Sequence, residues 1–365
     1  MLMEEQEIFF LNAFNAIPGV GAVTIRALKN HFGSYEAAWR RETSAYAAVP
    51  LDPQARGALE QRKHSVDPER AMRDVTRAGL WIMTDDDPAY PRLLAHIHSP
   101  PAILYGKGSK EALAPDHGIA VVGTRRPTAY GREATAAIVA GLTAARVAII
   151  SGLATGIDAQ AHRSALEHNG TTIAVLGSGI DPASLFPPEN RGLSDRIAAS
   201  GGAVISEYAP STPAVKEHFP MRNRIIAGLA HGALVVEARE RSGALITARL
   251  ALEQNRDVFA VPGSIFSPTS AGPNILIREG AKAVRHAADI LEEYGMDADL
   301  RTRAREAETL TAQESALLDF AAEPVGIDAL KIKTGLPVPL ILSSLSLLEL
   351  KGLIRNLGGD VFQKI

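Results

Sequence analysis

The chain has 365 residues, 46% of them hydrophobic and 22% charged, enough to bury a core and to form two or three domains. It contains no cysteine, which excludes disulfides, thiolate catalysis and cysteine-ligated zinc and fits a reducing, cytoplasmic setting. A net charge of −3 excludes a uniformly basic nucleic-acid binder, yet residues 117–289 carry 17 Lys and Arg against 14 Asp and Glu. Screening confines a local field to about 8–10 Å, so a polyanion, if one is held, belongs to that middle stretch.

The opening MLMEEQEIFF is acidic where a secretory signal is basic, and no apolar run approaches the roughly 18 residues of a membrane span. Residues 8–63 predict short helices. Between two of them, Ile17-Pro18-Gly19-Val20-Gly21 has the spacing of a helix-hairpin-helix, whose amides can meet a phosphate, and equally that of a tight turn in a small bundle. The charged residues from Arg62 to Arg73 are expected to lead out of this domain.

From Leu80 short runs rich in Val and Ile alternate with helical patterns. Predicted strands are 119–122, 147–150, 172–176, 203–205, 233–236 and 258–261, apolar on both faces as in a parallel sheet covered by helices. Ala134, Ala137, Ile138, Gly141, Leu142 and Ala145 repeat at helical spacing, and Gly243–Asn255, apolar nearly all round, predicts a buried helix. Repeated strand–helix–strand units imply a doubly wound α/β sheet. Residues 295–310 look like a linker. Beyond them, three helical stretches and a hairpin turning at Gly358-Gly359 predict a winged helix.

The glycines carry the first functional argument. Strands run into Gly123-Thr124-Arg125-Arg126, Ser151-Gly152, Gly177-Ser178-Gly179 and Arg241-Ser242-Gly243. In an open α/β sheet such turns line the carboxyl edge, where backbone amides and helix N-termini favour anions. The expected phosphate-binding rim therefore includes Gly123, Thr124, Arg125, Arg126, Ser151, Gly152, Gly177, Ser178, Gly179, Ser242 and Gly243. Gly177-Ser178-Gly179 lacks the third glycine of a dinucleotide fingerprint, and no G-x-x-x-x-G-K-[ST] exists, so neither common nucleotide cofactor is indicated.

Arg222-Asn223-Arg224 opens a helix, where cationic side chains oppose the dipole unless an anion lies nearby. At 100° per residue, Arg222 and Arg224 cannot face one point, so one is expected to reach a ligand while the other pairs with Glu207 or Glu237. Tyr130, Phe186, Tyr208 and Phe219 fall near the rim and either stack on bases or pack internally. With aromatics at 5% of the chain, phosphate-driven, sequence-indifferent binding is expected.

Residues 86–284 resemble the DNA-processing protein A (DprA/Smf) family almost throughout. The resemblance rests on VGTRRPTAYG, SGLATGIDAQAH, TTIAVLGSGID, FPMRNRII, VVEARERSGALITARLA and VFAVPGSIFSPTSAGPNILI, in that order. It implies an α/β fold with a doubly wound Rossmann-like parallel sheet. An N-terminal helical domain of helix-hairpin-helix or SAM-like type would precede it, and a C-terminal winged helix would follow. The expected divisions are 1–75, 76–294, the linker 295–310, and 311–365.

The resemblance also implies binding and protection of incoming single-stranded DNA in natural transformation, delivery to a RecA-type recombinase, and a homodimer, with neither membrane attachment nor cofactor. The family's DNA pocket carries over to Gly123, Thr124, Arg125, Gly177, Ser178, Gly179, Arg222, Asn223 and Arg224. Where family members often have a lysine, this chain has Phe186-Pro187-Pro188-Glu189-Asn190, so Arg191 or Lys216 is the expected substitute, or affinity is lower.

Enzymatic readings are weaker. Asp158 and His162, four residues apart, could form a general-base pair or simply a capped helix start. Ser151 and Ser178 lack a nucleophile elbow, and His96-Ile97-His98 lacks a third metal ligand. The alternative is a phosphoribohydrolase-like nucleotide hydrolase on the same fold, but Val261-Pro262-Gly263-Ser264-Ile265 departs from that family's Pro-Gly-Gly-x-Gly-Thr-x-x-Glu motif. The expectation is a non-enzymatic protein. The winged helix is expected to dock protein, because Val338–Leu350 has Glu349 as its only charge.

Overall fold

The computed structural model describes residues 5–296, 300, 311–350 and 353–364. Most of the expected linker, residues 297–299 and 301–310, lies outside the described residues. The chain divides into two compact units, residues 1–307 and 308–365, so the N-terminal helices share one unit with the sheet.

Five helices come first: α1 (Glu5–Asn15), α2 (Ala22–Phe32), α3 (Tyr35–Trp39), α4 (Pro53–Arg62) and α5 (Pro68–Arg77). Local signals start them: Ser34, Asp52 and Asp67 each accept an N-terminal amide, and proline follows both aspartates. The second half of the charged stretch expected to lead out of the bundle opens α5, which packs on α1. Leu11, Phe14, Ile25, Leu28, Tyr35, Tyr46 and Leu59 form the interior. The Ile17–Gly21 turn keeps Ile17 and Val20 buried, has Gly19 at φ +93°, and is braced by Arg62, which donates to the Pro18 carbonyl at 2.9 Å. The bundle is fastened to the sheet by the Arg26–Asp85 ion pair (2.6 Å) and by Asn15, which donates to the Glu207 carbonyl at 2.9 Å.

The sheet has nine strands: β1 (Trp81–Thr84), β2 (Ile103–Gly108), β3 (Gly118–Val122), β4 (Ala148–Ser151), β5 (Thr172–Leu176), β6 (Ala203–Ser206), β7 (Gly232–Val235), β8 (Asp257–Ala260) and β9 (Lys282–Ala283). Their order is β1-β2-β6-β5-β4-β3-β7-β8-β9. β3 to β9 are parallel, whereas β1 and β2 add an antiparallel extension beside β6. The intervening helices are α6 (Arg92–Ala95), α7 (Ala129–Ala144), α8 (Ile157–Glu167), α9 (Arg191–Ala199), α10 (His218–Leu229), α11 (Gly243–Glu253), α12 (Ala271–Arg278) and α13 (Ala287–Glu293).

Strand alternation divides the core. Ile119 and Val121 face Ile138 and Leu142 of α7, whereas Ala120 and Val122 face Ile225 and Ile226 of α10 and Ala248 of α11. Contrary to expectation, α11 is not buried all round: Ile246 and Leu252 are 41% and 58% exposed. The strand sequence moves outward from β3 through β4 to β6 on one side and through β7 to β9 on the other. The topological switch point therefore lies between the carboxyl ends of β3 and β7, where an open sheet binds ligands.

The second unit contains helices Ala312–Phe320, Ile327–Thr334 and Val338–Leu350 and a three-stranded antiparallel sheet whose hairpin joins Ile354–Gly358 to Val361–Lys364. A Thr311–Glu314 capping box starts its first helix. Leu317, Leu330, Ile341, Leu345, Ile354 and Phe362 form a core of its own. No single helix among the described residues is long and apolar enough to cross a membrane.

Candidate functional site

A cleft of about 370 Å³ opens at the switch point. Its walls come from the first turn (Gly123, Thr124, Arg125), the start of α10 (Phe219, Arg222, Asn223), and the segment after β7 (Arg239, Arg241, Ser242, Gly243). A second hollow of about 290 Å³ shares Arg125, Phe219 and Arg222 and adds Gly152, Phe186 and Glu189.

The first turn is set by tertiary contacts. The Thr124 amide donates to the Glu237 carbonyl at 2.7 Å, and Arg125 and Arg126 project into solvent. Gly156 (φ +86°) allows the turn after β4 to close against it, because a β-carbon there would lie 2.3 Å from the Thr124 carbonyl oxygen. Glu237, 1% exposed, accepts from the Thr128 amide (2.9 Å), the Thr128 hydroxyl (2.7 Å) and the Thr269 hydroxyl (2.8 Å). One carboxylate, just beyond the end of β7, thus holds two segments of the carboxyl edge, the loop after β3 and the loop after β8.

Arg222 forms the floor, 5% exposed, donating to the Gly152 carbonyl at 2.7 Å and to that of Val175. Burial lowers its pKa to about 10, partly offset by Asp158, so it is cationic at neutral pH. Asp158 also lines the cleft and accepts the Gly152 amide at 3.1 Å. Burial raises its pKa to about 6 against the opposing pull of Arg222. Asn223 accepts from Arg222 Nε at 3.2 Å and donates to the Gly243 carbonyl at 3.4 Å, bridging α10 to the start of α11.

Several expected rim residues stand elsewhere. Arg224 is tied to Glu207 in an ion pair whose side chains are 11% and 15% exposed, so of the two α10 arginines only Arg222 reaches the cleft. The Gly177-Ser178-Gly179 turn is buried: the Gly179 amide donates to the Thr212 carbonyl, the Ser178 hydroxyl donates to the Gly179 carbonyl, and Phe219 lies over Gly177. The loop between β6 and α10 therefore closes an edge that a string of glycines had left open in prospect. The Ser151 hydroxyl is spent on the Val121 carbonyl at 2.6 Å, and the Gly152 amide on Asp158. Lys216 is exposed, but neither it nor Arg191 lines either hollow.

Asp158 and His162 do not form a dyad. His162 is fully buried with Nδ1 2.7 Å from the Thr172 hydroxyl, which itself donates to the Ile149 carbonyl, so the imidazole donates there. Burial drives its pKa down to about 3, keeping it neutral. Of the four rim aromatics, Tyr208 stacks on His218 (4.0 Å) and the Tyr130 hydroxyl donates to the Pro262 carbonyl at 2.7 Å. Phe186 is 41% exposed beside Phe219, over whose ring the Arg125 guanidinium lies at 5.5 Å. No group of three or more His, Cys, Asp or Glu among the described residues could hold a metal ion.

The residue expectations omitted Arg239 and Arg241, both exposed on the cleft wall. Their signal was available: an Arg-Glu-Arg-Ser-Gly turn a few residues after a strand, whose Arg241-Ser242-Gly243 end the glycine pattern had already marked. The network around Glu237 was not available, because Thr128 and Thr269, the two partners of its carboxylate, each lie more than thirty residues away in sequence.

These features define a doubly wound α/β protein with an arginine-walled cleft at its switch point. Residues 81–295 match the DNA recombination-mediator protein A family and residues 301–360 the DprA winged helix domain, and the chain belongs to that family. It is 39% identical over 297 residues to Protein Smf of Synechocystis, covering 80% of this chain and 74% of that protein. It is 46% identical over 224 residues to DNA processing protein DprA of Bacillus subtilis, covering 61% and 74%. The X-ray structure of DprA from Streptococcus pneumoniae superposes with a TM-score of 0.67 at 34% identity, covering 80% of this chain and 99% of that one. A Helicobacter pylori DprA structure, described for its single-stranded DNA binding mode, gives a TM-score of 0.53 at 26% identity, covering 59% and 95%.

Proposed function

We propose that this chain binds single-stranded DNA without sequence preference, seating the backbone across the switch-point cleft, and acts as a mediator and not as an enzyme. The observation that carries the reading is the set of exposed guanidiniums, Arg125, Arg239 and Arg241, ranged around the buried cation Arg222. Four cations on one cleft suit a run of phosphates, and the Phe186–Phe219 pair offers a ring face to a base. The described single-stranded DNA binding mode of the Helicobacter pylori relative supports the ligand class. The proposed contact set is Gly123, Thr124, Arg125, Arg126, Arg222, Asn223, Arg239, Arg241, Ser242 and Gly243.

Protection of the bound strand, its delivery to a RecA-type recombinase and action as a homodimer are part of the same proposal, resting on family membership. Against the hydrolase alternative, His162 is bonded away from the cleft, and Asp158, which lines it, accepts the Gly152 amide of the turn after β4.

The test is a titration of labelled oligothymidylate followed by fluorescence anisotropy over a range of salt. Micromolar or tighter binding is expected, with log affinity falling by about 0.7 per phosphate contacted for each unit of log salt. Affinity indifferent to salt, or release of free base from nucleoside monophosphates, would refute the reading.

A further inference from the structure

Resting on the cleft reading, we infer a second contact for the same strand: a base-stacking platform at Ile265 and Phe266, on the loop that follows β8. Both side chains stand almost wholly in water, 85% and 89% exposed. Two adjacent large apolar residues so placed call for an explanation, since isolated surface apolar groups are ordinary but a bare pair on a rigid tip is an interaction feature.

The tip is rigid by its bonding. At its start, the Pro262 carbonyl accepts the Tyr130 hydroxyl at 2.7 Å, and Asn274 brackets Gly263 by accepting its amide (3.3 Å) and donating to its carbonyl (3.0 Å). Within it, the Phe266 amide donates to the Ser264 hydroxyl at 3.2 Å and the Ser267 amide to the Ser264 carbonyl at 3.0 Å. At its end, the Thr269 hydroxyl donates to Glu237, and the Ala238 amide to the Thr269 carbonyl at 2.7 Å. Glu237 also holds Thr128, in the loop that carries Arg125 and Arg126. The apolar tip and the cationic turn are therefore fixed to one buried carboxylate.

Placement selects the occupant. β3, β7 and β8 are neighbours in the sheet, spaced about 4.8 Å apart, and all three point their carboxyl ends the same way. Along that edge come Arg125 and Arg126, then Arg239 and Arg241 with Glu240 between them, then Ile265 and Phe266. A single strand whose phosphates follow the arginines carries unpaired bases that need an apolar face, and this tip is the next one along the edge. Base stacking on an aromatic ring such as that of Phe266, with Ile265 as apolar flank, tolerates any sequence.

The experiment compares wild type with Phe266→Ala and Ile265→Ala, both at exposed sites, on oligothymidylates of increasing length and on the same lengths built from abasic sugars. Short oligonucleotides confined to the cleft should bind all three proteins alike. Beyond a threshold length wild type should gain affinity that Phe266→Ala lacks, a deficit of about tenfold. On abasic strands the deficit should vanish. Equal affinities at every length, or a deficit that persists on abasic strands, would overturn the platform while leaving the cleft intact. So would a change in sedimentation of the DNA-free variant, which would assign the tip to contact between copies. Absence of binding by wild type would instead remove the cleft reading itself.

Discussion

Arg125 and Arg224 carry the same charge and do opposite work. Arg125 is exposed and its guanidinium rests on the Phe219 ring, so its removal leaves no buried group unpaired. Arg125→Ala should keep wild-type stability, weaken oligothymidylate binding similarly for all sequences and flatten the salt slope by about 0.7, as anisotropy titrations will read. Arg224→Ala should do the reverse. It would strand Glu207, whose carboxyl burial already pushes toward the neutral form against the pull of Arg224. A loss of about 3 kcal/mol in urea unfolding is expected, with the folded fraction binding DNA as before.

Asp158 adds a pH dependence at the same scale. It is ionised above about pH 6 and neutral below, and an approaching phosphate favours the neutral form further. DNA binding therefore takes up a proton, and affinity should rise as pH falls from 7.5 to 5.5. His162, held neutral down to about pH 3, does not add charge in that window. Asp158→Asn should bind at pH 7.5 at least as tightly as wild type and lose the rise; a rise that survives the substitution would move the titrating group elsewhere.

Among the elements, the parallel strands were legible because burial on both faces leaves a continuous apolar run: 172–176 coincides with β5, and the other predicted strands lie within a residue or two of those observed. β1, β2 and the two-residue parallel strand β9 escaped notice. Trp81–Thr84 is only four residues long, and Ile103–Gly108 ends in Gly106, Lys107 and Gly108, a composition that reads as loop although it pairs with β6. The site was legible by half. Glycine turns at strand ends marked the correct edge, but whether such a turn opens to solvent depends on what packs over it, and the Thr212–Phe219 segment covering Gly177–Gly179 lies more than thirty residues away in sequence.

The two segments fixed by Glu237 should behave as one unit. Gly131→Ala would put a β-carbon 2.1 Å from its Oε2 and force the carboxylate off Thr128. Hydrogen exchange should then rise together in residues 124–130 and 263–270, with a drop in DNA affinity larger than that of Arg125→Ala, because the first turn and the loop after β8 would both lose their anchor.

For the whole molecule, the formal charge of −3 and a cationic cleft are compatible because the arginines are local, and the fold brings together turns that sequence keeps apart. The second unit is compact by itself. Its helix Val338–Leu350 offers a base pair neither a basic nor an amide side chain, while Leu340 and Leu342 stay 37% and 41% exposed. A major-groove reader requires donors matched to base edges, and an apolar helix surface suits protein better. A chain ending at Ala307, the boundary of the first unit, should therefore bind oligothymidylate with the affinity and salt slope of the full chain. Footprinting the full chain on duplex should show no protected sequence. Loss of single-strand affinity on truncation would place part of the strand's path on the winged helix, and a discrete duplex footprint would make that unit a reader despite its uncharged face.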